Sequence, residues 1–305
     1  MKFTRKQFIK TSALIGGGIL FQGNKLLTTL STDDKRFKTL RNNIGVFTEQ
    51  GGSIGYYIHD DALVVIDTQF PDSAKLLMEG IRAKTDRKID LLFNTHHHGD
   101  HTSGNPYLKP FTKDIVAHEN CPKIQRKRNA KPGEEDQLVY ANLTFTDNYK
   151  TDLGDEKINA FHLQPAHTGA DSVVHFENAN IAHLGDLVFN RVYPWFSLQD
   201  EGTFKGWISY LEKLEKKFDS ETLFIFGHGQ GMDKNQVTGN LSDLTFMKDY
   251  LTTLVEYTQK QINAGKSEDE TASVSAIAGV TDRKGLWDDA LGKNIREAYK
   301  ELSQI

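Results

Sequence analysis

The six residues His96-His97-His98-Gly99-Asp100-His101 put four imidazoles and a carboxylate directly behind the short apolar run Ile89-Asp90-Leu91-Leu92-Phe93. A run of that length and composition reads as a buried parallel strand. Thr102-Ser103-Gly104-Asn105-Pro106 follow, and these are turn and helix-start residues. Whatever the chain folds into must therefore bring histidines and a carboxylate to the carboxyl end of a strand, where open α/β sheets build their sites. His96, His98, Asp100 and His101 offer nitrogen and oxygen ligands of the kind zinc accepts. A solvated His-rich loop that collects metal opportunistically is the plain alternative. Against it, later His and Asp residues complete a full ligand set.

Those later residues also follow strand-like runs. Ile44–Phe47, Ile54–Ile58 and Ala62–Ile66 read as strands joined by Gly- and Asp-rich turns, and Asp67 closes the third. Asp67 is equally a carboxylate holding a metal-binding histidine from behind and a cap for the helix expected over Pro71–Ala83. Asp114–His118 reads as another strand, with His118 near the site as a substrate-contact candidate. The basic stretch from Lys123 to Lys131 is a lid beside the site or simply a solvated face. Leu143–Phe145 and Ile158–Leu163 begin a second series of strands, and the loop Gln164–Ser172 carries His167. Val173–Phe176 and Ile181–Leu184 continue that series, and Gly185-Asp186 ends the latter strand. Leu223–Phe226 ends in Gly227-His228-Gly229. Tyr193, Trp195 and Phe196 line a pocket or plug a core. Helical periodicity appears over Phe204–Phe218, Leu244–Ile262 and Trp287–Leu302. His97 alternates out of the ligand pair and is expected beneath the loop, and His59, His162, His175 and His183 are expected to be structural.

The pattern His-x-His-x-Asp-His, then His167, Asp186 and His228, each after a strand, resembles the metallo-β-lactamase superfamily from about Ile44 to Gly229, with Asp67 as the opening motif. The resemblance implies an α+β fold, a four-layer αβ/βα sandwich with the metals at one edge between two sheets and a helical C-terminal extension. It also implies that His96, His98 and His167 bind a first zinc and that Asp100, His101 and His228 bind a second, with Asp186 bridging both. Asp100 would in addition be catalytic, orienting the attacking hydroxide. Three neutral imidazoles leave a zinc ion one open position, as catalytic zinc requires. The single-cysteine lactamases carry Cys where this chain has Asp186 and Lys where it has Phe189. The chain is therefore more similar to the glyoxalase II, lactonase and general hydrolase branches. The iron-using flavodiiron branch has Glu at the position of His98.

The expected activity is hydrolysis of an ester, thioester, lactone or β-lactam by a di-zinc enzyme, with zinc as cofactor and a small molecule as partner. A mononuclear-iron, sulfur-oxidising enzyme and a non-enzymatic exported zinc-binding protein are the rival readings. Residues 1–25 read as an export signal and 26–40 as a linker, ahead of a domain over 41–305 whose last part, 240–305, is helical. Lys2, Arg5, Lys6 and Lys10 precede the apolar run Ala13–Phe21, which is too short to span a bilayer comfortably. Thr4–Lys10 resembles a twin-arginine signal with Lys6 in place of the second arginine, and the general secretory route is the alternative. The expected location is the bacterial periplasm, with no stable membrane anchor after processing. Loss of that leader lowers 37 basic residues to 32 against 41 acidic, a net charge of −9. Such a balance disfavours nucleic acid as a partner. Cys121 is the only cysteine, so no intramolecular disulfide forms and no cysteine-based zinc site exists.

Overall fold

Alternation along single strands generates the layers. In the computed structural model, which describes residues 34–129, 138–230 and 236–304, strand β4 is Leu63–Ile66. Its Val64 and Ile66 face one apolar core and its Leu63 and Val65 another. A strand covered on both faces carries no polar alternation, which is why it reads as an unbroken apolar run.

β4 belongs to a seven-stranded sheet that also contains β1 (Phe37–Arg41), β2 (Ile44–Phe47), β3 (Ile54–Ile58), β5 (Ile89–Asn94), β6 (Thr112–His118) and β7 (Leu143–Phe145), in chain order. The first four strands are antiparallel, and β4 to β7 are parallel. A second, six-stranded sheet runs β15-β13-β11-β10-β9-β8. Its members are β8 (Asn148–Leu153), β9 (Glu156–Phe161), β10 (Val173–Phe176), β11 (Ile181–His183), β13 (Leu223–Ile225) and β15 (Thr238–Gly239). Within it β11 and β13 are parallel. The short strands β12 (Phe189–Asn190) and β14 (His228–Gly229) pair with each other.

Val64, Ile66, Phe93 and Val116 of the first sheet meet Ile158, Val174, Phe176 and Ile225 of the second in one buried cluster. On the outer face of the first sheet, Leu63 and Val65 pack on Leu77, Met78 and Ile81 of helix α1 (Pro71–Arg82). On the outer face of the second, Val173 and Phe224 pack on Trp207 and Leu211 of α3 (Phe204–Lys217) and on Leu251 of α4 (Leu241–Asn263). Between α1 and α3 in the chain lies α2 (Asn120–Asn129), and α5 (Ala290–Ser303) follows α4. The order helix, sheet, sheet, helix is the αβ/βα sandwich expected from the sequence, with α4 and α5 as its helical C-terminal part.

Three departures matter. Residues 37–40, taken as linker, form most of β1, because Phe37 docks its ring 4.9 Å from Phe47 and 5.7 Å from Tyr56. The basic stretch is helical as far as Asn129, and Lys131 lies outside the described residues, as do the proposed leader and the linker up to residue 33. The last helix starts at Ala290 and not at Trp287, since Asp289 takes a left-handed conformation at φ 55° and leaves Leu286 and Trp287 in a loop.

Candidate metal centre

Parallel pairing decides where the polar side chains collect. β4 and β5 run side by side, as do β11 and β13, so each pair ends at the same edge. Asp67 and His96 follow the first pair, and Asp186 and His228 the second. Ser53 stitches the two edges together: its N–H donates to the Gly227 carbonyl at 2.8 Å and its hydroxyl to the Phe226 carbonyl at 2.6 Å. Glycine makes this closeness sterically feasible. A Cβ on Gly227 would fall 1.9 Å from Asp186 Oδ1, and one on Gly52 would fall 2.1 Å from the His101 ring.

Two groups of side chains converge there. His96, His98, His167 and Asp186 form one, and Asp100, His101 and His228 the other. His98 Nδ1 lies 3.0 Å from His96 Nε2 and 3.2 Å from His167 Nε2. Asp186 Oδ2 lies 3.5 Å from His167 Nε2 and 3.4 Å from His228 Nε2, so one carboxylate oxygen faces both groups. Its Oδ1 lies 3.0 Å from His101 Nε2, and Asp100 Oδ2 lies 3.1 Å from His228 Nε2. All seven residues singled out as ligands in the sequence are thus brought together.

The fit to metal can be judged from these atoms. One N–H on His98 cannot serve both neighbouring imidazoles well, whereas a cation between the three is served by all of them. Ligand atoms on a tetrahedral zinc ion stand about 3.3 Å apart, given zinc–nitrogen distances of about 2.0–2.1 Å. The separations observed here straddle that value. His101 Nε2 and Asp186 Oδ1 are buried without a hydrogen bond of good geometry among the described residues, although they face each other. Buried polar atoms left so are explained by an ion that would satisfy them.

Charge is divided unequally. Burial, reinforced by the neighbouring His98, holds the His167 pKa down at about 3 against the pull of Asp186. Burial and the surrounding histidines push His96 well below its ordinary range too. Neutral imidazole is the metal-binding form. Burial opposes charge on His228 as well, but Asp186 and Asp100 outweigh it and hold its pKa up at about 9. Burial likewise disfavours the carboxylate of Asp186, yet His228 and His101 draw its pKa well below the usual range. The second group therefore pairs anion with cation, a balance that a divalent ion can replace.

Behind the ligands stand two carboxylates. Asp67, itself left-handed at φ 64°, accepts from Thr95 N–H at 2.8 Å and from the Thr95 hydroxyl at 2.7 Å, and its Oδ2 lies 2.8 Å from His101 Nδ1. It thus stands behind His101, with the helix cap reading unsupported because Phe70 occupies the cap position of α1. Asp200, which sequence reasoning missed, performs the same service for His98. Its Oδ2 lies 3.2 Å from His98 Nε2, and its Oδ1 lies 3.4 Å from His97 Nε2 and accepts from Arg128 Nε at 2.8 Å. His97, His98 and Asp200 have metal-like spacing, but the Arg128 guanidinium already supplies the cation there. No local signal marks Asp200, since Ser197-Leu198-Gln199-Asp200 reads as an ordinary turn.

Over the centre opens a cavity of about 350 Å³ bounded by His98, Asp100, Asp186 and His228 and walled by Phe189, Trp195, Leu286 and Trp287. Trp195 is therefore a lining residue. His118 is not, because it is buried and stacked 3.9 Å from His162. Tyr193 is not either, because it packs edge-on against Tyr250. Phe196 is buried against Phe204 and Trp207.

Comparison with known proteins agrees with this geometry. Residues 48–229 match the model of the family described as the metallo-beta-lactamase superfamily. A hydroxyacylglutathione hydrolase of Maricaulis maris is 32% identical over 138 residues, 44% of this chain and 47% of that protein. A probable metallo-hydrolase of Methanocaldococcus jannaschii is 26% identical over 195 residues, 60% of this chain and 90% of its own length. Among solved structures, an inverting sec-alkylsulfatase from Pseudomonas sp. superposes with a TM-score of 0.68 at 15% identity, over 87% of this chain and 49% of the sulfatase. A metallo-beta-lactamase from Pontibacter korlensis gives 0.58 at 16% identity, over 71% of this chain and 98% of the lactamase. The chain spans about half the length of the Maricaulis relative and of the sulfatase, and at such identities the structural likeness speaks for the fold alone. With its motifs assembled at one sandwich edge and more than half of its length matched, the chain belongs to the metallo-β-lactamase superfamily.

Proposed function

We propose that this protein is a di-zinc hydrolase acting on a small carbonyl substrate: an ester, thioester, lactone or β-lactam. The observation that carries the reading is Asp186 Oδ2, which faces His167 of one ligand group and His228 of the other within 3.5 Å. His96, His98 and His167 would hold one zinc ion and Asp100, His101 and His228 the other, with Asp186 between them. Zinc bound there supplies a water acidic enough to ionise near neutral pH and a Lewis acid for the carbonyl oxygen. The chain's own residues do the rest. Asp100, drawn below the ordinary carboxylate range by His101 and His228 despite its burial, stays ionised and orients the attacking water through its carboxylate. Its side chain keeps 29% exposure and lines the cavity where the substrate enters. Phe189, Trp195 and Trp287 give that entrance an apolar wall and favour a partly apolar substrate.

Phosphodiesters are disfavoured for a reason visible in the fold. The basic stretch is largely spent on internal partners: Lys123 pairs with Glu119, Lys127 with Glu201, Arg128 with Asp200, and Arg126 lies 4.2 Å over the Tyr140 ring. A polyanion needs such charges free. The name of the Maricaulis relative adds an acylglutathione thioester to the substrates worth assaying. The decisive experiment combines elemental analysis with a panel of an aryl ester, a hydroxyacylglutathione thioester, a lactone, a β-lactam, a sec-alkyl sulfate and bis-nitrophenyl phosphate. The expected result is about two zinc ions per chain and turnover confined to carbonyl substrates. One iron per chain, or turnover confined to the phosphodiester or the sulfate ester, overturns the reading.

A further inference from the structure

The cavity over the centre does not end at its aromatic wall. Trp195 and Trp287 stand edge to face, with ring centres 5.6 Å apart and 71° between planes. On their far side lies a second cavity of about 200 Å³ that they also line. Its other boundary is one face of α5, which presents Lys293, Arg296, Glu297 and Lys300. Positions three and seven residues apart share a helix face, so the three cations align toward the same hollow.

Those cations are not equivalent. Arg296 is engaged by Asp289 at 3.0 Å and Asp269 at 3.4 Å, and Lys300 by Glu297 at 2.9 Å. Glu297 also accepts the Leu198 N–H at 2.9 Å, so it is fixed in place. Lys293 is exposed and has no carboxylate partner among the described residues. The partition between the two cavities is apolar and wet: Trp195 is 45% and Leu286 48% exposed. The Trp287 Nε1–H donor is buried with no partner among the described residues. Large apolar side chains left open beside a reaction centre mark a surface that a ligand covers. An unpaired ammonium beyond them supplies a counter-charge.

We propose that the substrate is an amphipathic anion, its apolar segment lying across Trp195, Leu286 and Trp287 and its anionic end meeting Lys293. The proposal deepens the hydrolase reading and rests on it for the bond that is cleaved, but the subsite itself can be tested by binding alone. Kinetics should use two esters of equal length, the mono-p-nitrophenyl ester of suberic acid, which ends in a carboxylate, and its methyl ester, which does not. For the zinc-loaded wild type the carboxylate-ended ester should show a KM about tenfold lower. That preference should shrink as NaCl is raised, because salt screens an exposed charge pair. In Lys293→Glu the preference should vanish or reverse, and in Lys293→Gln it should fall to near parity. Both substitutions lie on an exposed helix face where folding is little affected. The second measurement follows tryptophan fluorescence as 1-decanesulfonate, below its micellar concentration, is added to zinc-loaded protein. Binding should weaken about tenfold in Lys293→Glu. If neither ester is turned over, the sulfonate titration alone decides the subsite, and the hydrolase reading is decided by the wider substrate panel. Equal KM for the two esters in an active wild type, or equal sulfonate affinity in wild type and Lys293→Glu, overturns the proposal.

Discussion

A histidine ring that binds metal through one nitrogen is held in orientation by what its other nitrogen meets. For His101 that partner is Asp67, and for His98 it is Asp200. Burial alone would favour a neutral Asp200, but hydrogen bonds from His97 and His98 pull its pKa well below the ordinary range, and the Arg128 guanidinium pairs with it at 2.8 Å. Asp200→Asn keeps the shape and removes the charge. It should lower affinity for the ion bound by His96, His98 and His167 by about tenfold to a hundredfold, the usual cost of losing such a partner. The ion at Asp100, His101 and His228 should be much less affected. Competition with a chromogenic chelator, read as two binding steps, checks this, and two unchanged steps would show Asp200 to be merely structural. Ligand identity was legible because His-x-His-x-Asp-His, His167, Asp186 and His228 each come after a strand-like run and in that order resemble the superfamily's motifs. Asp200 was illegible because it reaches His98 across 102 residues of chain. The same holds for His118, whose strand-end position suggests a site residue although tertiary packing stacks it on His162.

Among the elements, β5 shows how a polar residue is tolerated inside an otherwise apolar strand. Asp90 is only 8% exposed, yet it accepts the Leu63 N–H at 2.9 Å, pairs with Lys113 of β6 and lies 3.4 Å from Arg87. Burial acts to raise its pKa, and Lys113, the Leu63 N–H and Arg87 together bring it below the ordinary carboxylate range. A carboxylate depressed in the folded state contributes stability that is complete above its unfolded pKa. That contribution is lost as pH falls from there through the folded pKa. Acid unfolding below about pH 4 should therefore be less steep in Asp90→Asn than in wild type. At pH 7 the variant should be less stable by about 1–3 kcal/mol, because a charge-assisted bond is exchanged for a neutral one. Urea melts at pH 7 and at pH 3 measure both; a variant with an unchanged pH profile would remove Asp90 from the account. Strands covered on both faces were easy to place from sequence, Ile44–Phe47 and Val173–Phe176 to the residue. Three of the edge strands, β1, β8 and β15, were not. β8, Asn-Tyr-Lys-Thr-Asp-Leu, half buries every second side chain and has too little apolar content to stand out. α2 escaped notice for a similar reason, since it is built largely of polar and basic residues.

At the scale of the molecule the layered architecture follows from counting faces: two sheets each buried on both sides require two helical layers. The helical C-terminal part was visible as periodicity, but its role was not. Only the delayed start of α5 at Ala290 leaves Leu286 and Trp287 free to wall the cavity. Among the described residues no helix is long and apolar enough to cross a membrane. The first 33 residues lie outside the described ones, so their role is argued from sequence. We propose that residues 1–25 are an export signal. Four basic residues within the first ten precede a nine-residue apolar run, Ala13–Phe21, the order of charge and hydrophobicity that secretion machinery reads. Nine residues of helix span about 14 Å, half of a bilayer core of about 30 Å, so the run suits a transient signal better than an anchor. An oxidising compartment would demand nothing of this fold, because its one cysteine, Cys121, is buried and unpaired. The mature protein should be recovered outside the cytoplasm of a bacterial host with a new N-terminus between about residues 20 and 35. Replacing Arg5 and Lys6 with Gln should leave it in the cytoplasm, still starting at Met1 or its neighbour. N-terminal sequencing of fractionated cells decides the matter, and wild-type protein that stays cytoplasmic with its first residues intact would refute export.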